Sequence, residues 1–184
     1  MRLLTSLVLV LGLGLSAGEG VAHAADPAKK VAGKDADWLS KKLTETTEVP
    51  LRAAIIHEMG SRRDPALMPV LLNASGDTSR DVRLESIVAL AAYGPQLADP
   101  QRDGAYTTSL QDGDPSVVKA ARAALAARVQ AGAKPGLDGL VSQLVNLSKR
   151  GTAWQTRKAT IELLELLPGD ESGARLNQVL IDVA

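Results

Sequence analysis

The pattern of apolar positions along the chain predicts amphipathic α-helices. In residues 79–93, small and apolar side chains recur at helical spacing: Val82, Ser86, Ala89, Leu90 and Tyr93. Residues three, four and seven positions apart lie on one face of a helix, so these side chains form a stripe that can be buried. Residues 156–167 carry a similar stripe, and residues 119–128 consist largely of strong helix formers.

A short motif recurs four times and indicates stacked repeats. It consists of an apolar residue (threonine in the last copy), an arginine, and an apolar residue seven positions after the arginine. The arginines are Arg52, Arg83 and Arg157, and Val118 stands at the arginine position of the third copy. Successive copies are 31, 35 and 39 residues apart, within the range of about 20 to 50 residues that is typical of stacked arrays. One such unit cannot bury its apolar face alone, so the units are expected to stack.

Three Asp-Pro pairs predict helix starts. At each pair the aspartate can accept a hydrogen bond from the first turn, and the proline fixes a helical φ at the first position. The pairs begin at Asp64, Asp99 and Asp114. Together with the apolar stripes they predict four helix pairs and a final helix. The predicted helices cover residues 35–46 and 49–60, 65–74 and 79–93, 99–111 and 115–130, 136–150 and 152–167, and 171–183.

Glycine and proline positions refine the helix ends. The helices that carry the arginine motif are expected to stop at glycines, which adopt a left-handed C-cap without strain. These glycines are Gly60, Gly94, Gly132 and Gly169. Pro69 is expected to bend or shorten the predicted helix 65–74, because proline removes a backbone hydrogen bond.

Two of the copies share further residues. Segment 77–83 (DTSRDVR) is followed by Ser86 and Leu90, and segment 112–125 follows nearly the same pattern. This pattern resembles the HEAT-repeat family, in particular the short HEAT-like repeats first associated with bilin lyases (PBS-lyase-type repeats). The resemblance covers about residues 35–184. It implies an all-α fold: a right-handed, armadillo-like α-solenoid of about four antiparallel helix pairs plus a terminal helix.

The resemblance also implies a ladder of ion pairs between successive units, formed by the turn aspartate and the helix arginine. By position, the ladder residues are Asp77, Arg83 and Asp112, with Arg52 and Arg157 as arginines that lack an acidic counterpart in their own units. Val118 interrupts this ladder. We therefore expect stacking at the third unit to be looser or to rely on Lys119.

The first 24 residues have the pattern of a secretory signal peptide. Arg2 precedes an apolar stretch from Leu3 to Leu15, and the segment ends in the cleavage pattern Ala-His-Ala at residues 22–24. The stretch is shorter than the roughly 20 apolar residues of a membrane-spanning helix. We expect cleavage near Ala24, export to the periplasm or the extracellular space, and no membrane anchor in the mature form. A retained anchor is the alternative.

The mature chain is then expected to divide into two parts. Residues 25–34 are rich in small and charged side chains and predict a flexible lead-in. Residues 35–184 form the HEAT-like domain.

Composition excludes several classes of protein. The chain is 45% hydrophobic and 23% charged, which is typical of a globular protein and not of a disordered one. Its 21 basic and 21 acidic residues give no excess of positive charge, so we expect no nucleic-acid partner. Cysteine is absent, which excludes disulfides, thiolate metal sites and cysteine nucleophiles.

One residue pair raises the question of catalysis. After removal of the signal peptide the sole histidine is His57, next to Glu58. In the HEAT family, several His-Glu pairs on facing helices hold the di-iron centre of deoxyhypusine hydroxylases. The equivalent positions in the other copies here begin at Val88, Ala123 and Glu162, which leaves at most one further carboxylate. We expect no catalytic residues, no metal and no cofactor. A metal-dependent or lyase-like enzyme centred on His57 and Glu58 is the alternative hypothesis.

The remaining hypothesis concerns the exposed surface. In HEAT-like arrays the second helix of each pair lines the concave side. The side chains expected to face outward there are His57, Leu84, Glu85, Val88, Lys119, Lys158 and Glu162. We therefore expect an exported, non-catalytic scaffold that binds a protein partner on this face. A purely structural envelope or spacer protein is a further alternative, and the sequence specifies neither the partner nor the oligomeric state.

Overall fold

The computed structural model describes residues 26–97, 99–132, 137–149 and 152–167. Within these ranges the regular structure is helical and no strand occurs. The elements are α1 (Pro27–Val31), α2 (Ala36–Glu45), α3 (Val49–Arg62), a short 3₁₀ helix (Pro65–Leu67), α4 (Met68–Ala74), α5 (Arg80–Ala91), α6 (Pro100–Ser109), α7 (Pro115–Gln130), α8 (Leu137–Leu147) and α9 (Trp154–Leu164). The predicted signal peptide and the predicted helix 171–183 lie outside the described residues.

The helices pack as pairs that stack into two layers. The pairs are α2 with α3, α4 with α5, α6 with α7, and α8 with α9. The second helices contact one another in the order α3, α5, α7, α9, and the first helices contact in the order α4, α6, α8. This arrangement confirms the predicted all-α solenoid of helix pairs. Its right-handed sense stays a prediction.

The core lies between the two layers and is aliphatic. The apolar residue seven positions after each motif arginine is fully buried, with 0% of its surface exposed: Met59, Leu90, Leu125 and Leu164. Burying one such side chain stabilises the folded chain by roughly 1.5–3 kcal/mol. The sequence motif therefore marks core positions. No helix among the described residues is long and apolar enough to cross a membrane.

The Asp-Pro pairs cap helices as predicted. The Asp99 carboxylate accepts hydrogen bonds from the backbone N–H groups of Gln101 and Arg102, at 2.9 and 3.0 Å. The Asp114 carboxylate accepts from Ser116 N at 2.8 Å. Each bond satisfies a backbone donor that has no partner within the helix.

The α-helix that follows Asp64 is shortened, as expected at Pro69, but not through the loss of a hydrogen bond. The Asp64 side chain caps the 3₁₀ helix, which occupies the first three positions, and the α-helical part then begins at Met68. Pro69 lies in the first turn of α4, where its missing N–H removes no helical hydrogen bond.

The glycine prediction is wrong at Gly60 and agrees with the structure at Gly94 and Gly132. Gly94 and Gly132 have φ values of 88° and 59°. Helix α3 instead continues through Gly60 to Arg62, and Arg63 adopts the left-handed conformation, with a φ of 54°. Gly60 is buried where α3 meets α5, and a Cβ at this position would lie 2.5 Å from the Cβ of Ala89. Close helix packing, and not helix termination, requires this glycine.

The predicted flexible lead-in 25–34 contains an element that the sequence analysis does not predict. Asp26 caps α1 by accepting a hydrogen bond from Ala28 N, and Val31 is 2% exposed. Helix α1 packs against α3, and Arg62 donates a hydrogen bond to the carbonyl of Lys34. One apolar side chain, flanked by charged residues, was too weak a periodic signal to predict this helix.

Candidate partner-binding site

Two ion-pair rungs connect the first three helix pairs. The Arg52 guanidinium donates two hydrogen bonds to the Asp77 carboxylate, from Nη1 to Oδ1 at 3.2 Å and from Nη2 to Oδ2. The Arg83 guanidinium donates from Nε to Oδ2 of Asp112 at 2.7 Å and from Nη2 to Oδ1 at 2.9 Å. Such two-point, charge-assisted bonds fix both distance and orientation. The carboxylate that each arginine pairs with therefore belongs to the turn aspartate of the next unit and not to one of its own.

The rung aspartates also order their own turns. Asp77 accepts a hydrogen bond from Ser79 N and Asp112 accepts one from Asp114 N, both at 2.8 Å. The hydrogen bond from Arg83 lowers the pKa of Asp112 below its ordinary value. Arg83 also donates from Nη1 to the carbonyl of Asp77 at 3.0 Å, so one side chain joins both rungs. The rungs thus form a continuous chain of contacts from α3 to the turn before α7.

No such rung joins α7 to α9 within the described residues. Val118 occupies the arginine position on α7 and cannot donate a hydrogen bond to the next turn. Arg157 on α9 donates to the carbonyl of Thr152, in its own unit. A groove with a volume of about 630 Å³ lies between α7 and α9, and Val118 is part of its lining. The interruption expected from Val118 therefore coincides with an opening between two units.

The seven residues predicted to bind a partner lie on α3, α5, α7 and α9, and we call them the B-helix face. His57 Nδ1 lies 2.7 Å from Glu85 Oε1 and joins α3 to α5. Glu162 forms an ion pair of 2.6 Å with Arg122, which joins α7 to α9. The structure thus gives both carboxylates of this face partners on the neighbouring helix.

The other members of the B-helix face differ in exposure. Val88 is 47% exposed, whereas Leu84 is half-buried against the core. Lys119 and Lys158 are exposed and form no ion pair with a described residue. The sequence analysis missed Arg122, because it sits in an alanine-rich helix outside the expected outward positions.

His57 and Glu58 do not converge on one point. Glu58 accepts hydrogen bonds from Arg62 on its own helix, at 2.8 and 3.3 Å, while His57 contacts Glu85. Among the described residues, no three histidine or carboxylate side chains are grouped so that they could hold a metal ion. The geometry therefore adds no support to the metal-site hypothesis.

A buried charged cluster between α6 and α7 was not predicted. Arg102, Asp103 and Arg128 are at most 2% exposed, and Arg128 Nε lies 3.5 Å from Asp103 Oδ2. Arg102 donates to the carbonyl of Gly94 at 2.9 Å, and burial raises the pKa of Asp103 above its ordinary value. Arg102 and Asp103 follow a helix cap in a polar segment, which is typical of a solvent-exposed first turn, so their burial could not be predicted from the local pattern.

In a comparison with known proteins, the region that contains the rungs matches a repeat family. Residues 36–126 match the family model described as HEAT repeats. This HEAT-matched segment begins at the start of α2 and ends within α7, so it contains both rungs and stops before the α7–α9 junction. No curated protein matches the chain. HEAT repeats are commonly protein-interaction scaffolds and are generally non-catalytic.

Proposed function

We propose that the chain is an exported, non-catalytic scaffold that binds a protein partner on its B-helix face. The observation that carries this proposal is the exposed face of four stacked second helices, in which Val88 exposes 47% of its surface and the Glu85 carboxylate contacts His57. Val88 and Glu85 are three residues apart on α5 and share one side of that helix. An exposed apolar side chain next to a charged one is typical of a binding surface with a polar rim.

The rungs support this proposal because they hold the face in a defined shape. The Arg52 and Arg83 pairs fix α3, α5 and α7 relative to one another at one end. The His57–Glu85 contact lies across the same layer. A preorganised surface loses less conformational entropy on binding than a flexible one. In HEAT arrays this side is concave, and we propose that it is concave here as well.

A photocrosslinking experiment tests this face. The photoreactive residue p-benzoylphenylalanine replaces Val88 in one variant and Leu97 in a matched control. Leu97 is likewise apolar and is 41% exposed, but it lies in the loop after α5. Irradiation in the native compartment is expected to give one dominant protein adduct from position 88 that position 97 does not give. The same adducts from both positions, or none from position 88, would contradict the assignment.

A substitution then tests whether the crosslinked partner depends on the face. Val88→Asp places a charge in the exposed apolar patch and leaves the ion pairs intact, and Leu97→Asp is the control. We expect loss of the adduct partner in co-purification with Val88→Asp alone. Reversing Glu85 and Glu162 to lysine is expected to have the same effect, with the added loss of two contacts between helices.

Export has its own test. We propose cleavage after Ala24, so the protein recovered outside the cytoplasm is expected to begin at Ala25. N-terminal sequencing of that fraction measures this directly. A protein retained in the cytoplasm with residues 1–24 attached would contradict export.

A further inference from the structure

The groove between α7 and α9 lies where an ion-pair rung is missing from the described residues. At the two rungs, an arginine side chain extends from one second helix to the turn of the next unit. At the α7–α9 junction, Val118 is shorter than an arginine and leaves the corresponding space unfilled. Gly151 lies six residues before Arg157, the position at which the second and third units have Asp77 and Asp112. Smaller, uncharged residues therefore replace both members of a rung between α7 and the fourth unit.

The lining combines an apolar floor with a polar rim. Leu110, Val118 and Ala159 contribute apolar surface, and the amides of Gln111 and Gln155 contribute donors and acceptors. Extended peptides are bound in this way, with side chains in apolar recesses and polar groups along the backbone. The volume of about 630 Å³ lies within the range of about 300–1,000 Å³ that is usual for ligand sites.

The charges in the groove favour an acidic ligand. The lining contains three charged side chains, and two of them are already paired: Asp112 with Arg83, and Arg122 with Glu162. Lys119 lines the groove and forms no ion pair with any residue in the described ranges. The groove therefore presents one unmatched positive charge, which a single carboxylate of a ligand would complement.

An exposed aromatic side chain lies next to this lining. Trp154 is 61% exposed and stands in the chain between Ala153 and Gln155, both of which line the groove. Tryptophan is among the residues that contribute most to binding at protein interfaces.

We propose that this groove binds a short extended peptide segment of a partner protein, with an aspartate or glutamate carboxylate at Lys119 and an adjacent aliphatic side chain on Val118 and Ala159. This site shares Lys119 with the B-helix face but is distinct from the patch around Val88 on α5. Binding of a peptide through the groove would tether a partner whose larger surface contacts the B-helix face.

A titration with defined peptides tests the proposal. The probe is a fluorescein-labelled hexapeptide, Ala-Leu-Glu-Leu-Asp-Ala, capped at both ends, and its binding to the mature chain is measured by fluorescence anisotropy. The control peptide carries lysine in place of both acidic residues. We expect saturable binding of the acidic peptide and no binding of the lysine peptide at the same protein concentrations.

Two variants locate the peptide in the groove. Lys119→Glu is expected to weaken binding about 5-fold or more, because an attractive charge becomes a repulsive one. Val118→Trp is expected to abolish binding by filling the floor without changing the charge. Lys30→Glu, on α1, makes the same charge change far from the groove and is expected to leave binding unchanged. Circular dichroism checks that each variant is folded, and Lys119→Glu remains decisive if Val118→Trp unfolds.

Each of four results would overturn the proposal. Equal binding of both peptides would show a non-specific surface, and unchanged binding by Lys119→Glu would place the peptide elsewhere. A dimer of the free chain that Lys119→Glu dissociates would assign the groove to a second copy of the chain. An adduct from position 88 without peptide binding would contradict the groove alone, and peptide binding without that adduct would contradict the B-helix face alone.

Discussion

The α3–α5 and α7–α9 junctions are built from the same sequence motif, but only the first is closed by an ion-pair rung. At α3–α5, Arg52 contacts Asp77, and Gly60 lets the two helix backbones meet at Ala89. At α7–α9 a valine replaces the arginine, and a groove of about 630 Å³ remains. The motif's core residues are fully buried in both places. Burial of the apolar stripe therefore stacks the units, and the rung and the small residues determine how closely they approach.

The match to the HEAT family also separates the α3–α5 junction from the α7–α9 junction. The matched residues 36–126 contain both rungs, while α8 and α9 lie beyond them. The groove therefore lies where the matched segment, which supplies Val118 and Lys119, meets the helix pair beyond it. We infer that the units joined by rungs provide the rigid frame and that the junction without a rung provides a second recognition surface.

The largest change in the free energy of unfolding is expected from adding a side-chain atom where α3 and α5 are in close contact. Gly60→Ala places a Cβ 2.5 Å from Ala89 Cβ and 2.7 Å from Ala89 Cα, so α3 and α5 must separate. We expect the free energy of unfolding to fall by about 3 kcal/mol, at the upper end of overpacking effects. Urea denaturation monitored by circular dichroism measures the change.

Two other helical glycines provide the control for that substitution. A Cβ at Gly104 in α6 or at Gly139 in α8 would meet no atom within 4 Å. Alanine at either position is expected to raise stability by about 0.5–1 kcal/mol, because it restricts the unfolded chain and favours helix. A Gly60→Ala protein as stable as these two would show that the close approach of α3 and α5 does not matter.

Removal of a rung is expected to have the next largest effect. Asp112→Asn leaves the half-buried Arg83 without its carboxylate, and we expect a loss of about 2 kcal/mol, as for charge-assisted hydrogen bonds. Denaturation of the variant beside the parent chain at neutral pH measures this loss. A change below 0.5 kcal/mol, the range of ordinary surface substitutions, would contradict the role assigned to the rung.

The same rung predicts a dependence on pH. Because the pKa of Asp112 is lowered in the folded chain, its carboxylate favours the folded state above the unfolded pKa of about 3.9. This contribution is lost as the pH falls through the lowered folded pKa. The stability difference between the parent chain and Asp112→Asn is therefore expected to shrink from pH 6 to below pH 3. A constant difference over this range would contradict the charged form of the rung.

The converse experiment introduces a rung at the α7–α9 junction, which has none among the described residues. In the sequence register, the double variant Val118→Arg/Gly151→Asp restores both members of the pair, and we expect a gain of about 1 kcal/mol over the sum of the single variants. A double-mutant cycle by denaturation measures this coupling. An absence of coupling would show that the two positions do not meet across the junction.

The smallest change in the free energy of unfolding is expected at the exposed His57–Glu85 pair on the B-helix face. The His57 side chain is 74% exposed, so its contact with Glu85 is screened by solvent. His57→Gln is expected to change the free energy of unfolding by less than about 0.5 kcal/mol. A loss as large as that from Asp112→Asn would show that this pair, and not the rungs, holds α3 against α5.

Much of the fold could be predicted because each unit repeats the same local signals. The motif spacing and the Asp-Pro caps predicted the described helices α2 to α9 to within a few residues at their ends. Gly60 was misread because termination and close packing both favour glycine, and only the position of Ala89 on another helix distinguishes them. Helix α1 was missed because its single buried residue, Val31, has no periodic neighbours.

The candidate site was predicted less completely, because its contacts depend on the register between units. Sequence position left Arg52 without an acidic counterpart in its own unit, and the structure shows that the next unit supplies Asp77. Arg122 lies outside the expected outward positions, and its partner Glu162 lies two helices away in the chain, so the pattern of α7 alone does not indicate this ion pair. Val118 did signal a departure from the pattern, but a groove is a property of two facing helices and cannot be derived from one of them.

Backbone hydrogen exchange in α3, α5 and α9, measured by mass spectrometry, tests the central comparison most directly. We predict that α9 amides exchange through openings at least about 1 kcal/mol lower in free energy than those of α3 and α5, because no rung closes the junction of α9. Val118→Arg/Gly151→Asp is expected to reduce this difference. Protection of α9 equal to or greater than that of α3 and α5 in the parent chain would contradict the account.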